Sequence, residues 1–283
     1  MRRPFQLVDV FGSSPLSGNP LGVVLDGTGL SDDEMQQIAR WLNLSETTFL
    51  LPPTSPEADY RVRIFTLARE LPFAGHPTLG SCHAWLAAGG RPRHPDRIVQ
   101  ECGAGLVPVR RTHTGLAFAA PPLVRSGPVD ETLLQDAAAV LGIDRSQIVD
   151  AQWVDNGPGW MGVLLGSASD VLALEPDFSR STRGGSLEIG VIGPCPPGSE
   201  CAFEVRAFLS DQKGQMLEDP VTGSLNASLA QWMLSSGRAT APYWTSQGTR
   251  VGRAGRPRIE QDADGTVWIG GRTVTHVEGT FEL

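Results

Sequence analysis

Four polar residues in this chain have types and settings suited to acid–base chemistry. Glu46 opens Glu46-Thr47-Thr48-Phe49-Leu50-Leu51, a segment whose apolar residues head into a core. Desolvation at such a place raises a carboxylate pKa towards the range of a general base. A solvent-facing strand would instead leave Glu46 an ordinary surface glutamate, and the local sequence keeps both readings open. His76 lies between a permissive Gly75 and Pro77, and proline suits the first position of an apolar helix. A helix N-terminus lowers an imidazole pKa, which suits a neutral donor or acid; a structural histidine is the other reading. Asp219 and Ser224 belong to Glu218-Asp219-Pro220-Val221-Thr222-Gly223-Ser224, which leads into a second apolar run. They fit either a catalytic site or a helix cap.

The elements that must position these residues repeat. One apolar run extends from Gly75 to Gly89 and the other from Gly223 to Gly237, the same fourteen-residue interval in each case. Each reads as a tight turn delivering a helix N-terminus, where unpaired backbone N–H groups attract an anion. Earlier segments repeat in the same order. Gly22-Val23-Val24-Leu25 is echoed by Gly162-Val163-Leu164-Leu165, and Val62-Arg63-Ile64-Phe65 by Val205-Arg206-Ala207-Phe208. The offsets of 140, 143 and 148 residues keep register and place a small insertion before the second helix. An internal duplication follows, with halves 1–120 and 121–283, a boundary near Pro121-Pro122, and a last strand able to return to the N-terminal half. Ser31 with Glu34 forms a capping box ahead of Met35, Ile38, Ala39 and Leu42, so a helix is expected there. Segments 5–11, 21–25, 46–51 and 60–65 read as strands. Many short strands with few helices indicate an α+β chain.

Composition excludes several classes. Of 283 residues, 40% are hydrophobic and 19% charged, as in ordinary globular proteins. The net charge of -8 argues against a nucleic-acid partner, which requires a basic surface. No run approaches the ~18–20 apolar residues of a membrane span, and the N-terminus lacks a signal-peptide pattern, so a cytoplasmic protein is expected. Cys82, Cys102, Cys195 and Cys201 form no C-x-x-C, and His94, His113 and His276 have no partner at ligand spacing, so no metal is expected. His83 reads as packing or surface. There is no P-loop, G-x-G-x-x-G after a strand or G-x-S-x-G elbow. The sole lysine, Lys213, sits in a polar stretch, which disfavours Schiff-base chemistry. Acid–base chemistry on a small anion, with no cofactor, remains.

Certain motifs carry a family resemblance. They are Val8-Asp9-Val10-Phe11, Gly18-Asn19-Pro20-Leu21, Asn43-Leu44-Ser45-Glu46-Thr47-Thr48-Phe49, Arg63-Ile64-Phe65-Thr66 and Glu70-Leu71-Pro72-Phe73-Ala74-Gly75-His76-Pro77-Thr78. The 218–224 segment, Gln247-Gly248 and Gly252-Arg253 continue the series. In this order, over nearly the whole chain, they resemble the phenazine biosynthesis PhzF-like family. The resemblance implies two pseudo-symmetric α+β domains like those of diaminopimelate epimerase, each a barrel-like sheet around a central helix, with the active site between them. It also implies a homodimer.

Where diaminopimelate epimerase has a cysteine at each helix start, this chain has His76 and Ser224. The resemblance instead makes Glu46 a proton shuttle, with His76 and Asp219 as its catalytic partners. Substrate binding falls to Asn19, Gly75, Thr222, Gly223 and Ser224, the backbone near the two glycines holding a substrate carboxylate. The implied activity is cofactor-independent isomerisation of a small unsaturated amino or hydroxy acid, of which trans-2,3-dihydro-3-hydroxyanthranilate is the family's best known. A non-catalytic metabolite-binding protein and an amino-acid epimerase are the alternatives. Leu67, Leu225, Asn226 and the polar loop 209–217 depart from the family pattern and bear on substrate identity. A thiol mechanism would be abolished by iodoacetamide; activity is expected to survive alkylation, as an assay before and after treatment would show.

Overall fold

The computed structural model describes residues 2–181, 187–210 and 216–283. Two compact units are formed, one reaching Ala119 and recovering Trp268–Leu283, the other spanning Ala120–Val267. The first unit starts with β1 (Arg2–Val10) and β2 (Asn19–Val24), an antiparallel pair. Helix α1 (Asp32–Leu42) then carries the chain to β3 (Glu46–Leu51), parallel to β2. Next come β4 (Tyr60–Thr66), the short β5 (Glu70–Leu71), helix α2 (Gly75–Ala87), β6 (Ile98–Cys102), β7 (Gly105–Thr112) and β8 (Gly115–Ala119). Strand β4 runs antiparallel to β3 and β5 and parallel to β6.

The second unit repeats this plan. Its elements are β9 (Arg125–Pro128), α3 (Glu131–Leu141), β10 (Ile148–Asp155), β11 (Trp160–Leu165), α4 (Ala168–Ala173), β12 (Glu188–Pro194), β13 (Phe203–Ser210), β14 (Met216–Asp219), α5 (Gly223–Ser235), β15 (Tyr243–Gln247) and β16 (Arg258–Gln261). An antiparallel β10–β11 pair precedes a parallel β11–β12 pair, and β13 is antiparallel to β12 and β14 and parallel to β15. That is the pairing scheme of β1 to β6, and α5 occupies the place of α2. The chain ends with β17 (Val267–Gly271) on β8 and β18 (Thr273–Glu282) along β1, so its last residues complete the first unit. Both units belong to the α+β fold of diaminopimelate epimerase-like proteins.

Local sequence explains the helices. Ser31 and Glu34 form the capping box, three acids open α1, and Asn43 closes it in left-handed backbone. Met35, Ile38 and Ala39 bury one face against Val24, Phe49 and Phe65, at about 1.5–3 kcal/mol per large side chain. Helices α2 and α5 instead show no separate polar face and are buried along most of their length, so both are central. Helix α2 touches β1, β2, β3, β6, β8 and β18. Gly18 has a special place ahead of β2: a Cβ there would lie 2.1 Å from the Val10 carbonyl oxygen.

One ion pair is duplicated along with the strands. Arg63 of β4 grips Glu70 of β5 with two bonds of 2.7 and 2.6 Å, and its guanidinium lies over Phe65. Arg206 of β13 grips Glu218 of β14 at 3.0 and 2.7 Å and lies over Phe208. Each pair fixes the hairpin that feeds a central helix. Their surroundings differ: the first pair's side chains are 23% and 41% exposed, the second's 4% and 7%. Removing one partner of a buried pair strands the other charge, whereas water replaces a lost surface partner. Glu218→Gln is therefore expected to destabilise the protein by about 3–5 kcal/mol and Glu70→Gln by about 1 kcal/mol or less. Urea unfolding of the two variants measures the difference.

Candidate active site

Helix α2 opens without the device that caps α1. Ala74 is its N-cap, no side chain caps it, and its first turn holds no acid. Among the described residues none accepts from the N–H of Gly75 or His76, and Pro77 has no N–H to satisfy. Buried donors at the positive end of a helix suit an anionic group.

His76 is the second helical residue and Pro77 the third rather than the expected first, since Gly75 already belongs to α2. It is 3% exposed. Its Nδ1 lies 3.5 Å from Oε2 of Glu46 and 3.4 Å from Nδ2 of Asn19. Burial pushes its pKa down to about 3. The direction agrees with the sequence expectation, and desolvation disfavours the imidazolium. His76 is neutral at physiological pH. The two Nδ1 contacts call for opposite tautomers: Nδ1 must accept to meet the Asn19 amide, whereas only Nδ1–H could donate to a Glu46 carboxylate, whose Oε2 at 3.5 Å makes no hydrogen bond with it. Among the described residues Nε2 has no hydrogen-bond partner.

Glu46 begins β3 with its side chain 16% exposed, between the fully exposed and the core readings. Asn19 begins β2 and is completely buried. The preceding loop is held by Asp9, whose Oδ1 accepts the N–H of Gly18 at 2.9 Å. Strand ends and one tightly drawn loop thus bring Asn19, Glu46 and His76 together.

In the second unit α5 also opens uncapped, with Thr222 as N-cap and no acid in its first turn. The N–H groups of Gly223, Ser224 and Leu225 find no acceptor among the described residues. Ser224 matches His76 as the second helical residue. Trp160 Nε1 donates to its hydroxyl oxygen at 3.1 Å, and Asn156 donates to its carbonyl at 2.8 Å. The Trp160–Ser224 contact repeats the Asn19–His76 contact: in each unit the head of a strand presents an N–H to the helix start. Asp219 does not cap α5. Its Oδ2 accepts the Thr222 hydroxyl at 2.5 Å, and the capping reading of Asp219 and Ser224 is set aside.

Sequence reasoning assigned no role to Asn156, Trp160 or Gln247. Gln247 lay within a recognised motif, which was the available signal; the other two depend on packing. Leu225 and Asn226, the departures from the family pattern, are buried, and Asn226 bonds to Gln247 and to the Thr222 carbonyl. They shape the interior of the second unit. Leu67 is 38% exposed. His83 is half-buried between the hydroxyls of Thr273 and Thr275. Burial raises all four thiol pKa values, that of Cys82 to about 12. Among the described residues no three His, Cys, Asp or Glu side chains gather as for a metal, and no helix is long and apolar enough to cross a membrane. Lys213 and the middle of the 209–217 loop lie outside the described residues.

Comparison with known proteins agrees with this picture. Residues 8–279 match the family model described as phenazine biosynthesis-like protein. Trans-2,3-dihydro-3-hydroxyanthranilate isomerase of Pseudomonas aeruginosa is 32% identical, with 99% of each chain covered. Antisense-enhancing sequence 1 of Schizosaccharomyces pombe is 35% identical over 97% of each. A crystal structure of a phenazine biosynthesis PhzF family protein from Enterococcus faecalis superimposes with a TM-score of 0.79 at 25% identity, covering both chains completely. The fold and these relatives define an isomerase. The chain belongs to the PhzF family.

The neutral His76 makes stability depend on pH. Its folded pKa is below the ordinary 6.5, so the unfolded chain binds the extra proton and stability falls as pH drops from about 6.5 towards about 3. Between pH 7 and pH 5 the wild type should lose about 2 kcal/mol more than His76→Asn. Urea unfolding at both pH values checks this; equal losses would show that His76 carries no such linkage.

Proposed function

We propose that the protein is a cofactor-independent isomerase that moves a proton within a small unsaturated amino or hydroxy carboxylic acid, Glu46 acting as the shuttle. The observation that carries the proposal is the Glu46 carboxylate beside a buried, neutral His76 at an uncapped helix start. The relatives named trans-2,3-dihydro-3-hydroxyanthranilate isomerase support a substrate of that kind.

In the proposed reaction Glu46 takes a proton from one substrate carbon, and the electron pair of that C–H bond shifts along the conjugated system. The proton returns from Glu46 to a carbon at the far end of that system. Atoms and electrons balance within the substrate. While Glu46 is ionised, His76 Nδ1–H donates to it. Once Glu46 holds the proton, the other tautomer lets Nδ1 accept, so the histidine follows the change without becoming a buried cation. The N–H groups of Gly75, Gly223 and Ser224 would bind the substrate carboxylate, Ser224 adding its hydroxyl. Asn19 and Thr222 would orient substrate, and Asp219 would supply a second polar group to the reacting part. The proposed assembly is a homodimer in the cytoplasm.

Glu46→Gln keeps the size and removes the base. Deuterium incorporation from D2O into trans-2,3-dihydro-3-hydroxyanthranilate should fall by about 10²–10⁴-fold with the fold intact by circular dichroism. Undiminished exchange in a folded variant would exclude Glu46 as the shuttle.

A further inference from the structure

We infer that Gln247 is a positioning residue that fixes the direction of the hydrogen bond between Thr222 and Asp219. Its bearing on turnover rests on the function proposed above, but the bond direction can be tested without turnover. Gln247 ends β15, is 1% exposed, and uses every side-chain donor and acceptor. Its Oε1 accepts from the Thr222 backbone N–H at 3.0 Å and from Asn226 Nδ2 at 2.8 Å. Its Nε2 donates to the Asp219 carbonyl at 3.2 Å and the Thr222 hydroxyl oxygen at 2.9 Å.

Backbone groups leave no choice of orientation. The Thr222 N–H can only donate, which makes the facing Gln247 atom oxygen. The Asp219 carbonyl can only accept, which makes the other atom nitrogen. Asn226 is fixed in the same way: its Nδ2 donates to the Thr222 carbonyl at 2.9 Å, and its Oδ1 accepts the Thr245 hydroxyl at 2.6 Å.

Because Thr222 Oγ1 accepts the hydrogen bond from Gln247, a buried hydroxyl left with Asp219 Oδ2 as its acceptor directs its own hydrogen there. That oxygen is held as an acceptor. The glutamine is itself anchored: its backbone exchanges two hydrogen bonds with Gly255, at 3.2 and 2.9 Å. Gly248 follows at φ 94°, and a Cβ there would lie 2.5 Å from the Pro220 carbonyl oxygen. The Gln247-Gly248 motif thus joins the end of β15 to the segment before α5, and this juxtaposition aims the Asp219 carboxyl.

The experiment reverses the bond. Gln247→Glu keeps an acceptor for Thr222 N–H and Asn226 but cannot donate to Thr222 Oγ1, and Tm should fall by roughly 5–10 °C. Adding Asp219→Asn supplies a donor from the other side, so Thr222 can turn its own proton towards the carboxylate introduced by the first substitution. At least about half the lost Tm should then return. The recovery should vanish in a Thr222→Val background. Recovery that persists there reflects relief of charge repulsion alone and overturns the inference, as does the absence of recovery. If Gln247→Glu does not fold, NMR of the unmutated 15N-labelled protein decides. The Gln247 side-chain amide should exchange with D2O at least about 100-fold more slowly than exposed glutamines, and fast exchange overturns the inference.

Turnover tests the positioning role separately. Thr222→Val should lower kcat by about 10–100-fold, and Thr222→Ser should restore it to within about threefold. Unchanged kcat in Thr222→Val overturns that role. A wild type without activity on trans-2,3-dihydro-3-hydroxyanthranilate would instead count against the proposed substrate, with the Tm cycle still deciding the bond direction.

Discussion

The structure turns on two helix starts that are buried and left uncapped. A helix ordinarily satisfies its first N–H groups with a side chain or with water, as α1 does through Ser31 and Glu34. At Gly75 and Gly223 neither the residue types nor the burial allow it, and the donors keep their partial positive charge inside the protein. Much of each unit serves this arrangement. Apolar side chains surround the helix, and an Arg–Glu pair fixes the hairpin that delivers it.

Duplication supplies the common frame, and unequal surroundings supply different chemistry. The second helical residue is His76 in one unit and Ser224 in the other. Each meets an N–H from the head of the matching strand, Asn19 in the first and Trp160 in the second. The first unit adds a carboxylate beside the histidine. The second holds its carboxylate, Asp219, in a network with Thr222, Asn226 and Gln247. One helix start is thereby equipped with a neutral imidazole and a carboxylate, the other with an oriented set of hydrogen-bond donors and acceptors.

Much of this was legible in the residues. The capping box at Ser31, the strands near Glu46 and Tyr60 and both glycine-bounded helices rest on short-range rules of propensity and capping, so they could be read locally. The order of the repeats carried the duplication. The roles of Asn156 and Trp160 could not be read this way, because they meet α5 across more than 60 residues of chain. The helix-cap explanation for Asp219 failed for a related reason: the Thr222 hydroxyl, itself oriented by Gln247 from β15, engages the carboxylate instead.

Sequence alone determined the α+β class, the repeated order of strands and central helices, and the residues from which chemistry was sought. These follow from periodicity, capping and turn chemistry, which act within a few residues, and from motifs that preserve those patterns. Tertiary structure decided the state of those residues. Burial makes His76 neutral, and packing of a loop and two strand ends sets Asn19 and Glu46 beside it. Desolvation and hydrogen-bond direction depend on every group around a side chain, and chain folding brings those groups from distant positions.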